Sequence, residues 1–238
     1  MLALQQDHSG IWDFSKLAYN SIMELKLYHY VHCPFCIRVR MALGYLQLPY
    51  KSIVLPYNDE ETPLKLTGTK MLPIIEINGK AMNESLDIVA KLDSTNSLQV
   101  HKLEQDAHFA DFNQLLNKLG NNVHNLAMPY WIFTPEFDEA SRAYFQKKKE
   151  AKRGPFKELV KQQDLFSKNV LTDLTTLTSE LRPFYRSANF TIYDILLASH
   201  VWGLYVVPEF QFPEAIHEYL QRVKDICHFN YHQDFWTS

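Results

Sequence analysis

The hydrophobic period of the chain changes abruptly at residue 33, and that change admits only a strand, a tight turn and a helix. Residues 25–30, Leu-Lys-Leu-Tyr-His-Tyr, alternate apolar and polar side chains and are rich in aromatics, the period-two signature of a strand. From residue 34 to 47 the repeat becomes helical, with Ile37, Met41, Leu43 and Leu46 recurring at spacings near three and four. Pro34 suits a first helical turn, where its missing N–H costs nothing. Cys33-Pro34-Phe35-Cys36 occupies the junction.

The segments that follow extend this unit. Residues 50–55 read as a second strand, and a strand–helix–strand unit of this length makes a right-handed parallel crossover. A short helix is expected at about 63–67. Residues 72–77 and 80–83 flank Asn78-Gly79, a dipeptide that supplies the positive φ values of a two-residue hairpin turn. Residues 84–92 close the region as a helix, giving the order β-α-β-α-β-β-α over 24–93. A polar break at 93–97 suggests a linker. Beyond it the chain shows only helical periods, at about 100–124, 136–153, 155–180, 191–205 and 213–229. The expected organisation is a 1–23 N-terminal extension, a 24–93 α/β domain and a 98–238 all-helical bundle. Thr191 and Asp194 form a capping box that starts one of the bundle helices.

Composition narrows the classes of function. At 238 residues the chain can bury a core without staples, and a net charge of −3 gives no general attraction to nucleic acid or anionic membrane. The basic run from Lys147 to Arg153 reads as a solvated helix face. No apolar run approaches the ~18 residues of a membrane span, and the first 22 residues lack the pattern of a signal peptide. Three cysteines, two of them three residues apart, do not make the disulfide framework of a secreted domain, so a reducing, cytoplasmic location is expected.

Cys33 falls at a helix N-terminus, where free N–H groups and the helix dipole favour a thiolate, the attacking species in disulfide exchange. Cys36, one turn on, can pair with Cys33 or resolve a mixed disulfide on it. His32, Arg38 and Arg40 add possible cationic support. The residues alone also admit two buried structural thiols, or half of a zinc site. The strand–helix context favours redox chemistry, and no second pair of ligands completes a metal site. Leu72-Pro73 opens an apolar strand with a residue that cannot donate a hydrogen bond. A cis bond there would turn the Leu72 N–H and C=O toward an extended peptide, and an edge-strand proline is the equally open alternative. Glu84-Ser85 meets a helix N-terminus, where Ser85 can hold a carboxylate and Glu84 an ammonium group, or the pair can simply cap the helix. Cys227 reads as a buried free cysteine, and Trp131, Trp202 and Trp236 as core-filling residues.

In this order, Leu27-Tyr28, Cys33-Pro34-Phe35-Cys36, Leu72-Pro73-Ile74 and Glu84-Ser85 resemble the thioredoxin-like half of glutaredoxins and glutathione transferases. The helical half is similar to the large two-domain glutaredoxin 2 type, through Arg142-Ala143-Tyr144-Phe145, Lys148-Lys149-Glu150-Ala151, Gly154 and Phe156. The resemblance spans 24 to about 230 and leaves the leader unmatched. It implies a thioredoxin-like domain followed by a glutathione-transferase-like helical bundle. The implied activity is glutathione-dependent thiol–disulfide exchange, with Cys33 as nucleophile and Cys36 as second thiol. Glutathione would lie across Leu72-Pro73 with its γ-glutamyl end at Glu84 and Ser85. The implied substrates are glutathionylated or disulfide-containing proteins, reduced by a monomer that uses no metal. A glutathione transferase and a non-catalytic glutathione-binding protein are the alternatives. Leu72 stands where valine is common in this group, a change a backbone-paired ligand tolerates.

Overall fold

A computed structural model describes residues 24–231; the expected 1–23 extension and Trp236 lie outside the described residues. Four strands form one sheet in the order β2-β1-β3-β4. β1 (Leu25–His29) runs parallel to β2 (Lys51–Val54) and antiparallel to β3 (Ile74–Ile77), which pairs antiparallel with β4 (Lys80–Met82). The alternation read from the sequence is real: Leu25, Leu27 and His29 are buried while Lys26 and Tyr28 are only half so. Leu27 pairs with Ile75 on one face of the sheet and Tyr28 with Ile74 on the other. Asn78 and Gly79 turn the β3–β4 hairpin with φ of 50° and 80°.

Helices α1 (Pro34–Tyr45) and α3 (Ser85–Leu92) pack together on the Leu27 face. α2 (Glu61–Thr67) contacts β3 and β4, its Leu66 joining the Tyr28–Ile74 face. The segment expected to be a loose linker is tied down: buried Asp93 accepts hydrogen bonds from Ser97 N–H at 2.8 Å and Leu98 N–H at 2.7 Å.

The helical half departs from the expected segments in three places. The stretch expected as one helix over 100–124 is a 3-10 turn (Val100–Gln105) followed by α4 (Phe109–Trp131), which continues through Pro129. A proline in a last turn sacrifices few helix hydrogen bonds, whereas Leu126, Met128 and Trp131 bury side chains worth about 1.5–3 kcal/mol each. α5 (Glu139–Arg153) agrees with expectation, but 155–180 divides into α6 (Phe156–Lys161) and α7 (Gln163–Thr178). α8 (Ile192–Val201) carries the expected capping box and gives way to a second 3-10 turn (Trp202–Val206) before α9 (Glu214–Ile226). Asp194 caps more than its own helix, accepting also from Tyr185 N–H at 2.8 Å and Tyr219 O–H at 2.9 Å.

One apolar cluster runs from Leu25 through α1, α4 and α8 to Tyr231, so sheet layer and helices share a core. At the C-terminal end of α1, Gly44 lies so close to Cys227 that a Cβ would sit 1.8 Å from the Cys227 carbonyl oxygen. Arg40 donates to the carbonyls of Asn230 and Tyr231 at 2.8 and 2.9 Å. Across the sheet's other end, Tyr57 N–H donates to Ser141 Oγ at 2.9 Å. These contacts hold α1 and the sheet layer against the helical half, which sets the position of the cysteines.

Candidate active site

Cys33 is the N-cap of α1, with extended backbone angles, and its carbonyl accepts the first helical bond from Ile37 N–H at 2.9 Å. The side chain is half-buried, whereas Cys36 behind it is completely buried. The two thiols are driven apart in acidity. A hydrogen bond from Cys36 S–H is the largest influence lowering the Cys33 pKa, to about 6. Burial opposes this, while the His32 ring and the Cys36 and Phe35 backbone N–H groups assist it. The same geometry pushes Cys36 well above the ordinary thiol range, through burial first, then its hydrogen bond to Cys33 and the negative charge there. Tyr30 N–H also reaches Cys36 Sγ at 3.4 Å. One thiolate supported by one protonated thiol is the form in which a nucleophile and a resolving group can coexist.

Leu72-Pro73 joins this pair. The Leu72–Pro73 peptide bond is cis, and Leu72 packs with Ile74, Leu55 and Cys36 in a small cluster that Cys33 borders. Among the described residues no backbone hydrogen bond takes up the Leu72 N–H or C=O.

Glu84 and Ser85 reach the site through a residue the sequence marked only as general cationic support. Arg38, buried within α1, donates from Nη1 to Ser85 Oγ at 2.9 Å, 47 positions along the chain. Its guanidinium lies 5.0 Å over the Phe35 ring and is stabilised by the Cys33 charge, while burial lowers its pKa to about 10. Because Arg38 supplies a proton to the Ser85 oxygen, the Ser85 hydroxyl hydrogen is free to be donated elsewhere. Glu84 is not the first helical residue expected but the exposed N-cap, with φ of 68° in the left-handed region. The first-turn N–H groups after it lack intrahelical acceptors.

Two further polar residues flank these motifs, Lys70 before Leu72-Pro73 and His32 before Cys33. Lys70 donates to Tyr57 C=O at 3.1 Å, to Glu60 and to the Tyr144 hydroxyl oxygen at 2.8 Å, so it ties the sheet layer to α5. His32 stands in a box of rings, 5.0–5.2 Å from Phe137, Trp131 and Phe145, with Nδ1 at 3.7 Å from the buried Glu136 carboxylate. Glu136 and these rings come from about a hundred residues away, and no local pattern marks them. Among the described residues no group of three or more His, Cys, Asp and Glu side chains is placed to hold a metal, and no helix is long and apolar enough to cross a membrane.

With this geometry in place, comparison with known proteins places the chain. Residues 27–99 match the model of the glutathione S-transferase N-terminal domain, and residues 111–234 match that of the glutaredoxin 2 C-terminal domain. Glutaredoxin 2 of Escherichia coli strain K12 is 31% identical over 201 residues, covering 82% of this chain and 92% of that protein. The chain belongs to the glutaredoxin 2 family. Glutaredoxin 2 of Salmonella typhimurium, solved in complex with glutathione, superposes with a TM-score of 0.78 at 28% identity, over 90% of this chain and 99% of its own. A glutathione S-transferase of Ceriporiopsis subvermispora shares the fold, with a TM-score of 0.69 at 20% identity over 86% of this chain and 98% of its own. The thioredoxin-like sheet layer followed by a helical half is therefore the glutaredoxin 2 architecture.

Proposed function

We propose that Cys33 is the nucleophile of a glutathione-dependent thiol–disulfide oxidoreductase and Cys36 its resolving thiol. Oxidoreduction with glutathione as co-substrate is the activity of the glutaredoxin 2 family. The observation that carries the assignment of roles is the divergence of the two thiols, Cys33 acidic and half-exposed, Cys36 protonated and enclosed. Cys33 thiolate attacks the glutathione sulfur of a mixed disulfide; the new bond is Cys33 Sγ–S, the old S–S bond breaks, and the departing thiolate takes a proton from water. A second glutathione then displaces the first as oxidised glutathione. With an intramolecular protein disulfide as substrate, Cys36 instead attacks Cys33 Sγ of the Cys33–substrate mixed disulfide, closing the Cys33–Cys36 disulfide and releasing the substrate as a dithiol.

The seat for glutathione runs from the unpaired backbone of Leu72 to the Glu84-Ser85 turn. Leu72 N–H and C=O would pair with the cysteinyl portion. Ser85 O–H and the first-turn amides of α3 would hold the γ-glutamyl carboxylate, with exposed Glu84 taking its ammonium group. The substrates on this reading are glutathionylated and disulfide-containing proteins. Residues 24–93 and 98–238 are the two domains, acting as a cytoplasmic monomer whose three cysteines stay reduced at rest. A buried thiol donating to the nucleophile favours exchange over transfer to an electrophile, the role a glutathione transferase would give the same fold.

The test is turnover of a glutathionylated peptide by single variants. Cys33→Ser is expected to be inactive, and Cys36→Ser to retain deglutathionylation while losing reduction of intramolecular protein disulfides. Full activity in Cys33→Ser would falsify the assignment.

A further inference from the structure

The basic run in α5 divides in a way its sequence conceals. Lys147 and Lys148 are exposed, as a solvated face requires, but Lys149 and Arg153 turn inward against α4. Together with Lys152 they form one wall of a cavity of about 490 Å³; Asn121, His124 and Asn125 of α4 form the other. Three cations therefore face one cavity whose remaining polar lining is uncharged.

Arg153 is held in place without being neutralised. Its Nη1 donates to Asn121 Oδ1 at 2.9 Å and Asn125 Oδ1 at 2.6 Å, and its Nη2 lies 3.4 Å from His124 Nδ1. Every acceptor is neutral, since burial lowers the His124 pKa to about 3 and leaves the imidazole uncharged. Among the described residues none of Lys149, Lys152 and Arg153 makes an ion pair. The nearby carboxylate on α5, Glu150, is turned away, accepting from Gln146 at 3.0 Å and from Phe156 N–H at 2.8 Å. Cations lining an otherwise neutral cavity form a site for an anion.

Lys149 connects the cavity with the surroundings of Cys33. Lys149 Nζ sits 5.5 Å over the Tyr57 ring and 5.4 Å over Phe145; burial lowers its pKa, and the charge of Cys33 partly opposes that shift. Phe145 and Trp131 share faces with His32, the residue before Cys33, while Trp131 also meets His124 across 5.6 Å. An anion seated here would belong to a molecule whose sulfur can reach Cys33 from the helical side, opposite in the chain's organisation to the Leu72–Ser85 seat.

We propose that this cavity binds carboxylates of the departing half of the disulfide substrate, selecting mixed disulfides whose leaving thiol is acidic. This inference rests on the oxidoreductase reading above. In the step it favours, Cys33 Sγ bonds to the glutathione sulfur, the substrate S–S bond breaks, and the released thiolate, carrying its carboxylates in the cavity, is protonated by water. The acidic half can be an acidic side chain beside a protein cysteine or the second glutathione of oxidised glutathione. Lys149, Lys152 and Arg153 would hold either.

The experiment compares kcat/KM of the full chain on four substrates: oxidised glutathione and three glutathionylated peptides identical except for glutamate, glutamine or lysine beside the cysteine. The wild type should prefer the glutamate peptide to the lysine peptide. The Lys152→Gln/Arg153→Gln variant should lose about fivefold on the glutamate peptide, on oxidised glutathione or on both, according to the source, with less than about twofold change on the glutamine peptide. Raising the salt concentration should erase the wild-type preference, a readout that needs no variant to fold. Equal turnover of all three peptides by wild type, or an equal loss on all substrates in the variant, would overturn the anion site while leaving the oxidoreductase reading intact. Absence of turnover on every disulfide would overturn both.

Discussion

Two helix ends in this molecule carry a cysteine, and they make opposite chemistry from one functional group. Cys33 caps the N-terminus of α1, half-exposed, and its pKa falls to about 6. Cys227 caps the C-terminus of α9, fully buried, where burial and the charge of Asp194 push its thiol far above the ordinary range. The N-terminal end offers free N–H groups and a thiol donor, whereas the C-terminal end offers carbonyls that repel a thiolate. Cys227 instead serves packing, its carbonyl pressed against Gly44 at the far end of the helix that Cys33 begins. Reactivity in this chain thus follows helix polarity and exposure, not the presence of sulfur.

The sharpest break between the two ends is in turnover. Cys33→Ser is expected to lower kcat/KM for a glutathionylated peptide by on the order of a thousandfold or more. Cys227→Ala should leave it unchanged and cost about 1 kcal/mol of unfolding free energy in a denaturant titration. Next in size is Gly44→Ala. Alanine improves helix propensity by about 1 kcal/mol, but its Cβ would lie 1.8 Å from a backbone carbonyl oxygen, so we expect a net loss of about 2 kcal/mol by the same titration. An unchanged or raised stability would show that the two helix ends are not tightly joined.

Ser85→Ala removes the hydroxyl that Arg38 orients. It should raise KM for glutathione about tenfold with little change in kcat, measured in steady-state assays at fixed disulfide. A further effect is pH-dependent. The fold lowers the Cys33 pKa from 9.0 to about 6, so the stabilisation from its ionisation is fully present above pH 9 and lost as pH falls to about 6. The stability of reduced wild type relative to Cys33→Ser should therefore rise between those limits, and unfolding titrations across the range would reveal a flat difference if the thiolate were not stabilised.

How much of this was legible in sequence follows from which interactions are local. The period change at residue 33, the Asn78-Gly79 turn and the Thr191–Asp194 box depend on neighbours within a few positions, and all three appear in the structure. The extension of α4 through Pro129 was not legible, because burial of Met128 and Trp131 against distant elements outweighs a local breaker. At the site, Cys33, Cys36, Leu72-Pro73 and Ser85 could be named from their types and order. The bond joining Arg38 to Ser85, the ring box around His32 and the inward turn of Lys149 and Arg153 span tens of residues, and periodicity carries no trace of them. The basic run illustrates the limit: one position of helix geometry separates exposed Lys148 from Lys149, which faces a cavity, yet the sequence shows a single patch.

The most direct test of the contrast between the two helix ends is the pH dependence of alkylation, followed residue by residue by mass spectrometry on the reduced, folded protein. The account predicts that Cys33 reacts first, with a midpoint near pH 6, and that Cys227 stays unmodified until the protein is unfolded. A Cys33 midpoint near the ordinary thiol value of 9.0, or labelling of Cys227 before Cys33, would contradict it.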